Sequence, residues 1–346
     1  MSSPADPDAV TAWMQGQGVD VAAPLRADLI AGGRSNLTYR LTDAAARTWV
    51  LRRPPTGHVL ATAHDMGREW RFISAFHPTP VPVPEPIALC EDESVLGAPF
   101  YVMDYVEGVV ADGHERAQQL SEDARHVLSF DLVEVLVQLH AVDVDEAGIG
   151  TIGPREDYLA RQLRRWNKQW DATCEQAGLQ DLPVAALHAK LAAAAPPQDR
   201  VAVVHGDYRV GNVLTSPAGR VNAVLDWELA ALGDPLADVG WMLAGWIEAG
   251  EEATQTISSQ SPTDLPGFAT RKEVAERYAA LTGTDVGRLD YYIAFAHWRR
   301  ACILAGVAAR YLAGVMGEDG TDPGEYRAAV EKGLRPTIED GLALLG

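Results

Sequence analysis

A chain of 346 residues with 47% apolar content is long enough for one large or two ordinary domains around a substantial core. Its 48 Asp and Glu against 29 Lys and Arg leave a formal charge of −19, which disfavours nucleic acid and anionic membrane as partners unless a basic patch is hidden within it. Cys90, Cys174 and Cys302 lie far apart with no metal-ligand spacing, so buried thiols in a reducing compartment are expected. The first residues lack a basic segment followed by an apolar run, and the apolar stretch at 301–309 is too short to span a bilayer. A soluble, cytoplasmic protein is the expectation.

In chain order, residues 7–16 read as a short amphipathic helix. Residues 26–30 and 37–42 read as strands around the loop Ala31-Gly32-Gly33-Arg34-Ser35-Asn36. Glycines let backbone N–H groups approach an anion closely, so the loop is either a phosphate clamp or a plain hairpin. Residues 48–53 form the third strand. Met66, Trp70, Ile73 and Phe76 recur at helical intervals within 64–76, with Glu69 among them. Pro78, Pro80, Pro82, Pro84 and Pro86 then impose a rigid, extended connection. Strands follow at 87–90 and 100–103 about an acidic turn at 91–94, and Asp104-Tyr105-Val106-Glu107-Gly108 leads out of the second.

The remainder reads as mostly helical. A helix from about Ser121 carries Leu128, Leu132, Val135, Leu136 and Leu139 as an apolar stripe and closes on His140, taken as a packed residue. Residues 155–178 form another helix, with Leu159, Leu163, Trp166 and Trp170 on one face and Arg161, Arg164, Arg165 and Lys168 on the other. That basic face is either solvated, helped by Asp157 and Asp171, or a seat for an anionic acceptor such as a coenzyme A phosphate. A loop at 258–266 and helices at about 270–282, 286–314 and 323–344 complete the chain.

The chemistry concentrates at 201–228. Apolar residues 201–204 deliver His205-Gly206-Asp207 to a loop, and Asn212 lies five residues beyond Asp207. A strand pair turning at Ser216-Pro217-Ala218-Gly219 ends on Asp226, fourteen residues past Asn212. Phosphoryl transfer from a metal–nucleotide needs this set. One carboxylate orients the attacking hydroxyl and takes its proton; an amide oxygen and a second carboxylate hold Mg²⁺ against the phosphates. The bland alternative makes the three residues turn formers and a cap.

His205-Gly206-Asp207 stands where protein kinases have His-Arg-Asp, and Asp226-Trp227-Glu228 where they have Asp-Phe-Gly. This variant resembles the aminoglycoside-phosphotransferase superfamily, kinase-like enzymes acting on small molecules. The run from His205 to Trp241 is similar to the branch that also occurs fused to acyl-CoA dehydrogenases. The resemblance implies an α+β, protein-kinase-like two-lobe fold: a small antiparallel-sheet lobe with one main helix at 1–105, and a larger, mostly helical lobe at 106–346.

It further implies ATP and Mg²⁺ as cofactors, Asp207 as the catalytic residue, and Asn212 and Asp226 as metal ligands. Nucleotide contacts are implied at Gly32, Gly33, Ser35 and Asn36, at Arg52 with Glu69 as its partner, and at the Asp104 carbonyl and Val106 N–H of the hinge. The chain departs from kinases at Arg52, where Lys is usual; no Lys occurs in the first 100 residues. Arg keeps its charge and grips phosphate bidentately, and Arg53, on the opposite strand face, is the alternative. His205 is expected to fix the loop and Asp238 to anchor it. The implied reaction moves the γ-phosphate to a hydroxyl of a small molecule, such as a hydroxyacyl-CoA-type metabolite. An aminoglycoside or macrolide antibiotic kinase is the same-chemistry alternative, and a nucleotide-binding module without transfer the third reading. Neither nucleic acid nor membrane is an expected partner.

Overall fold

A computed structural model describes residues 5–32, 36–55, 65–251, 261–314 and 322–346. Helix α1 (Pro7–Gly16) starts at Asp6, whose carboxylate accepts from the Asp8 and Ala9 N–H groups, with Pro7 in its first turn. Strands β1 (Arg26–Gly32), β2 (Leu37–Thr42) and β3 (Thr48–Arg53) follow, then α2 (Met66–Phe76), β4 (Pro86–Cys90), the one-turn α3 (Glu93–Leu96) and β5 (Phe100–Asp104). The five strands form one antiparallel sheet in the order β1-β2-β3-β5-β4. The acidic turn expected at 91–94 is instead the start of α3, because the Asp92 carboxylate caps the Ser94 N–H.

Residues of β3 and β5 alternate between two packed faces, as the period of a strand requires. Trp49, Leu51, Phe100 and Val102 join Val10 and Met14 of α1 in one cluster. Val50, Tyr101 and Met103 join Phe72, Ile73 and Phe76 of α2 in the other. Burial on both faces explains why β5 reads as an unbroken apolar run rather than an alternating one.

Beyond the sheet come α4 (His114–Ala117), α5 (Glu122–Ala141), α6 (Tyr158–Thr173) and α7 (Val184–Ala193). Short strands β6 (Ala202–Val204), β7 (Val213–Thr215), β8 (Val221–Val224) and β9 (Ala231–Gly233) pair antiparallel as β6 with β9 and β7 with β8. The chain ends with α8 (Leu236–Ala244), α9 (Arg271–Thr282), α10 (Leu289–Leu312) and α11 (Pro323–Leu344). Helix α10 lies at the centre, packed against α6, α7, α8 and α11. Helix α6 is shorter than the span 155–178 suggested, and α7 and the three-residue β9 were not anticipated. An alanine-rich decamer has little amphipathic contrast, and three residues are too few to show a period.

The sheet is tied to the helical part through α2. Trp227 is buried against Phe72 and Phe76, with ring centroids 6.3 and 4.7 Å apart. The Val224 N–H donates to the Pro82 carbonyl at 2.8 Å, so the proline-rich connection docks on β8. Each such buried aromatic stabilises by about 1.5–3 kcal/mol, and the apolar core runs continuously across the junction. Among the described residues, no helix is long and apolar enough to cross a membrane.

Candidate active site

Strand β6 leads into His205, and the backbone there is held by one buried carboxylate. The His205 and Gly206 N–H groups donate to Asp238 Oδ2 and Oδ1 at 2.7 and 2.8 Å. His140 Nε2 lies 3.3 Å from the same carboxylate and its Nδ1 2.9 Å from the Tyr278 hydroxyl. Asp238 sits in the first turn of α8, fully buried, so it anchors the loop and His140 packs behind it, as expected. The His205 ring spans the loop: Nε2 lies 2.9 Å from the Leu225 carbonyl, and Nδ1 accepts from the Asp207 N–H at 3.2 Å. A proton on Nε2 satisfies both bonds. Gly206 has φ +84°, and a Cβ there would lie 2.7 Å from the Leu229 carbonyl oxygen, so the turn admits only glycine.

Asp207 emerges from this turn with 22% of its side chain exposed. Its Oδ2 accepts from Asn212 Nδ2 at 2.7 Å, and its Oδ1 from Trp241 Nε1 at 2.6 Å. Arg209 Nε lies 3.5 Å from Oδ1. Asn212 also donates to the Asp207 carbonyl, and its own carbonyl accepts from the Leu225 N–H, both at 2.8 Å. The loop and the β8 end that carries Asp226 are therefore bonded to each other. Trp241 was not singled out from the sequence; the available signal is a buried indole, whose N–H needs an acceptor.

Asp226 has φ +66°, a left-handed conformation that costs a non-glycine residue about 1–3 kcal/mol and clusters at functional sites. Its Oδ1 accepts from Arg52 Nη2 at 2.5 Å, while Arg52 Nε faces Glu69 Oε2 at 2.9 Å. Arg52 shares the α2-facing side of β3 with Val50, so alternation selects it over Arg53. The latter is buried elsewhere, its Nη1 donating to the Leu96 carbonyl. Glu69, 1% exposed, also accepts from the Tyr101 hydroxyl at 2.9 Å and from Asn36 Nδ2 at 3.0 Å. Burial raises the Glu69 carboxyl above its ordinary range despite Arg52. Burial also opposes the Arg52 charge, but Glu69, Tyr101 and Asp226 outweigh it and hold the guanidinium firmly protonated.

Asn212 and Asp226 offer an amide oxygen and a carboxylate, hard donors of the kind Mg²⁺ takes when phosphates complete its shell. The described residues contain no cluster of three or more His, Cys, Asp or Glu able to hold a metal by itself. A metal brought in with phosphates fits this donor set.

Residues 26–277 match the phosphotransferase enzyme family. The chain belongs to that family. A protein of Ralstonia eutropha, provisionally described as an aminoglycoside phosphotransferase, matches it at TM-score 0.78 with 31% identity over 98% of this chain and 97% of its own. Acyl-CoA dehydrogenase family member 10 of Mus musculus is 35% identical over 319 residues. That match covers 89% of this phosphotransferase but only 28% of the mouse protein. An aminoglycoside phosphotransferase solved with GDP and kanamycin shares the fold at TM-score 0.57 and 17% identity, over 96% of this chain and 98% of its own. This phosphotransferase is therefore a small-molecule kinase of the kinase-like fold, as the residues from His205 to Trp241 implied.

The other expected nucleotide contacts of the phosphotransferase are only partly in view. Gly32 ends β1 opposite Leu37, whereas Gly33 and Ser35 lie outside the described residues. Asn36 is buried and supports Glu69 with its side chain. Asp104 closes β5 with its N–H bonded to the Glu85 carbonyl at 2.8 Å, and half-buried Val106 follows. The basic face of α6 divides. Arg161 turns inward to the Pro154 and Leu232 carbonyls, and Arg164 lines a surface hollow of about 530 Å³. Arg165 lies over the Trp166 ring.

Proposed function

We propose that this phosphotransferase moves the γ-phosphate of ATP to a hydroxyl of a small molecule at the junction of the sheet and the helical part. The observation that carries this reading is the meeting of Arg52, Glu69, Asp207, Asn212 and Asp226 from four separate stretches of chain. Asp207 orients the acceptor hydroxyl and takes its proton. Its bonds to Asn212 and Trp241 fix the carboxylate while leaving lone pairs for the acceptor. Because the transition state is loose, positioning matters more than base strength. Arg52, oriented by Glu69, grips phosphate oxygens. Asn212 and Asp226 hold Mg²⁺, which supplies charge neutralisation at the phosphates when bound.

In this reading the nucleotide binds between a 1–105 lobe and a 106–346 lobe and is contacted by Gly32, Gly33, Ser35 and Asn36, with its base at the Asp104 carbonyl and Val106 N–H. Likeness to the acyl-CoA dehydrogenase family member supports a hydroxyacyl-CoA-type acceptor. Likeness to the Ralstonia protein keeps an aminoglycoside acceptor in the test. The three cysteines are free thiols, which suits a cytoplasmic enzyme. Arg52 in place of Lys is the sole support for a binding module without transfer; its ion pair with Glu69 favours a working enzyme.

The test is phosphate transfer from Mg-ATP and Mg-GTP to hydroxyacyl-CoAs, aminoglycosides, macrolides and simple sugars. Transfer to one acceptor class supports the kinase and names its branch. Nucleotide binding with no transfer to any acceptor supports the module, and no nucleotide binding removes the proposal.

A further inference from the structure

Side chains of α6, α8 and α10 form a line that ends at Asp207. The Arg165 guanidinium lies 5.0 Å from the Trp166 ring, and Arg299 lies 5.3 Å from the same ring. Arg299 is also 4.8 Å from the Trp241 ring, where Arg300 lies at 5.5 Å. Trp241 Nε1 then donates to Asp207 Oδ1, beside which Arg209 Nε sits at 3.5 Å. Cations and aromatic rings thus alternate from the basic face of α6 to the carboxylate that faces the acceptor.

The charges in this line are not balanced. Among the described residues, no carboxylate pairs with Arg165, Arg299 or Arg300, and Arg209 has only Asp207. Arg299 is 3% exposed, and its Nε is buried without an acceptor. Ring faces compensate a buried guanidinium only in part, and buried charge is ordinarily paired or bound to a ligand. Burial lowers Arg300 from its ordinary value, with Asp207 opposing, and His297 is pushed down to about 3 by burial and by Arg300 and Arg271. In a chain of charge −19, a cluster of cations at the acceptor side of the site is what an anionic ligand requires.

We propose that Arg300 and Arg209, backed by Arg299 through the Trp241 ring, bind an oxyanion of the acceptor close to the hydroxyl that Asp207 presents. This rests on the reading of Asp207 above. The acceptor is then an anionic hydroxy compound, and a polycationic aminoglycoside is repelled. A carboxylate of a free hydroxy acid supplies that oxyanion a few bonds from the hydroxyl, whereas the phosphates of its coenzyme A thioester lie beyond the pantetheine arm. Arg300 and Arg209 are binding residues, whereas Arg299 is a positioning residue.

The test titrates the full chain calorimetrically with 3-hydroxybutyrate, its coenzyme A thioester and the neutral 1,3-butanediol, and measures KM for each acceptor and for ATP. Wild type is compared with Arg300→Gln, Arg300→Lys and the surface control Arg164→Gln, all matched for melting temperature. Binding of the acid without the diol is expected, weakened about 10- to 100-fold in Arg300→Gln, less in Arg300→Lys and not in Arg164→Gln. In turnover the loss falls on the acceptor KM. Binding of the acid assigns the carboxylate; Arg300-dependent binding of the thioester alone places the anion far from the hydroxyl and overturns the proposal. Diol binding equal to that of the anions, no binding of either anion, an unchanged Arg300→Gln, or a loss in the ATP KM overturns the proposal. Arginine-dependent anion binding without any phosphate transfer keeps the subsite and removes the kinase reading. Transfer with an acceptor KM insensitive to Arg300 does the reverse.

Discussion

Arg52 and Arg300 both bring a guanidinium to one site, but their surroundings are opposite. Arg52 lies between Glu69 and Asp226, with hydrogen bonds from Tyr101 and Asn36 completing the Glu69 carboxylate. Its region is neutralised from within, and the network holds its own shape. Arg300 has the face of Trp241 and, among the described residues, no ion pair. Its region lowers its energy by taking in an anion. The difference separates a phosphate-gripping charge held in place by the chain's own carboxylates from a charge left for the acceptor.

The largest effect falls on the paired side. Glu69→Ala leaves Arg52 beside Asp226 alone, and removing one partner of a buried pair destabilises by about 3–5 kcal/mol. Arg300→Gln, by contrast, loses only the contact with the Trp241 ring and is expected to cost no more than about 0.5–2 kcal/mol. Urea unfolding of both variants checks this, and equal losses would erase the comparison. Trp241→Phe keeps a ring for Arg299 and Arg300 but removes the donor to Asp207. It is expected to lower kcat by about tenfold or more, the value of a hydrogen bond to a charged group, with a smaller change in acceptor KM. A change in KM alone would mean that the ring, not its N–H, matters.

A pH dependence follows from the same surroundings. His297 stays neutral in the folded chain down to about 3, whereas the unfolded chain protonates it near its ordinary value. Between about pH 6.5 and 3 the unfolded state therefore binds more protons, and stability falls as pH falls, by at most about 1.4 kcal/mol per unit. His297→Phe is expected to flatten that limb in melting temperatures taken across the window. Arg300→Gln is expected to flatten it slightly, since Arg300 is one of the charges that depress His297. An unchanged slope in His297→Phe assigns the acid limb to other groups.

Much of this was legible in the residues. The interval from Asp207 to Asn212 survives as a direct bond, and a tight, local hairpin brings Leu225, next to Asp226, back to the Asn212 carbonyl. Arg52 and Glu69 were legible for a similar reason: strand alternation and helix period each place a side chain on a known face. The arginine–tryptophan line was not. Helix α10 is buried on nearly all sides, so periodicity could not say which of Arg299 and Arg300 faces what. Nor does sequence reveal that Trp241, 34 residues on in another element, completes Asp207; such contacts depend on how the elements pack. The left-handed Asp226 was hidden too, since its conformation is imposed by the β8 end and not by its residue type.

One measurement bears most directly on the site: phosphate transfer from Mg-ATP by wild type and Asp207→Asn, with melting temperature and nucleotide binding followed in parallel. Asparagine keeps the shape of Asp207 and removes its capacity to take a proton. The expected result is a rate lower by about 10²- to 10⁴-fold, with folding and nucleotide binding retained. Transfer at the wild-type rate in Asp207→Asn would contradict the role assigned to Asp207.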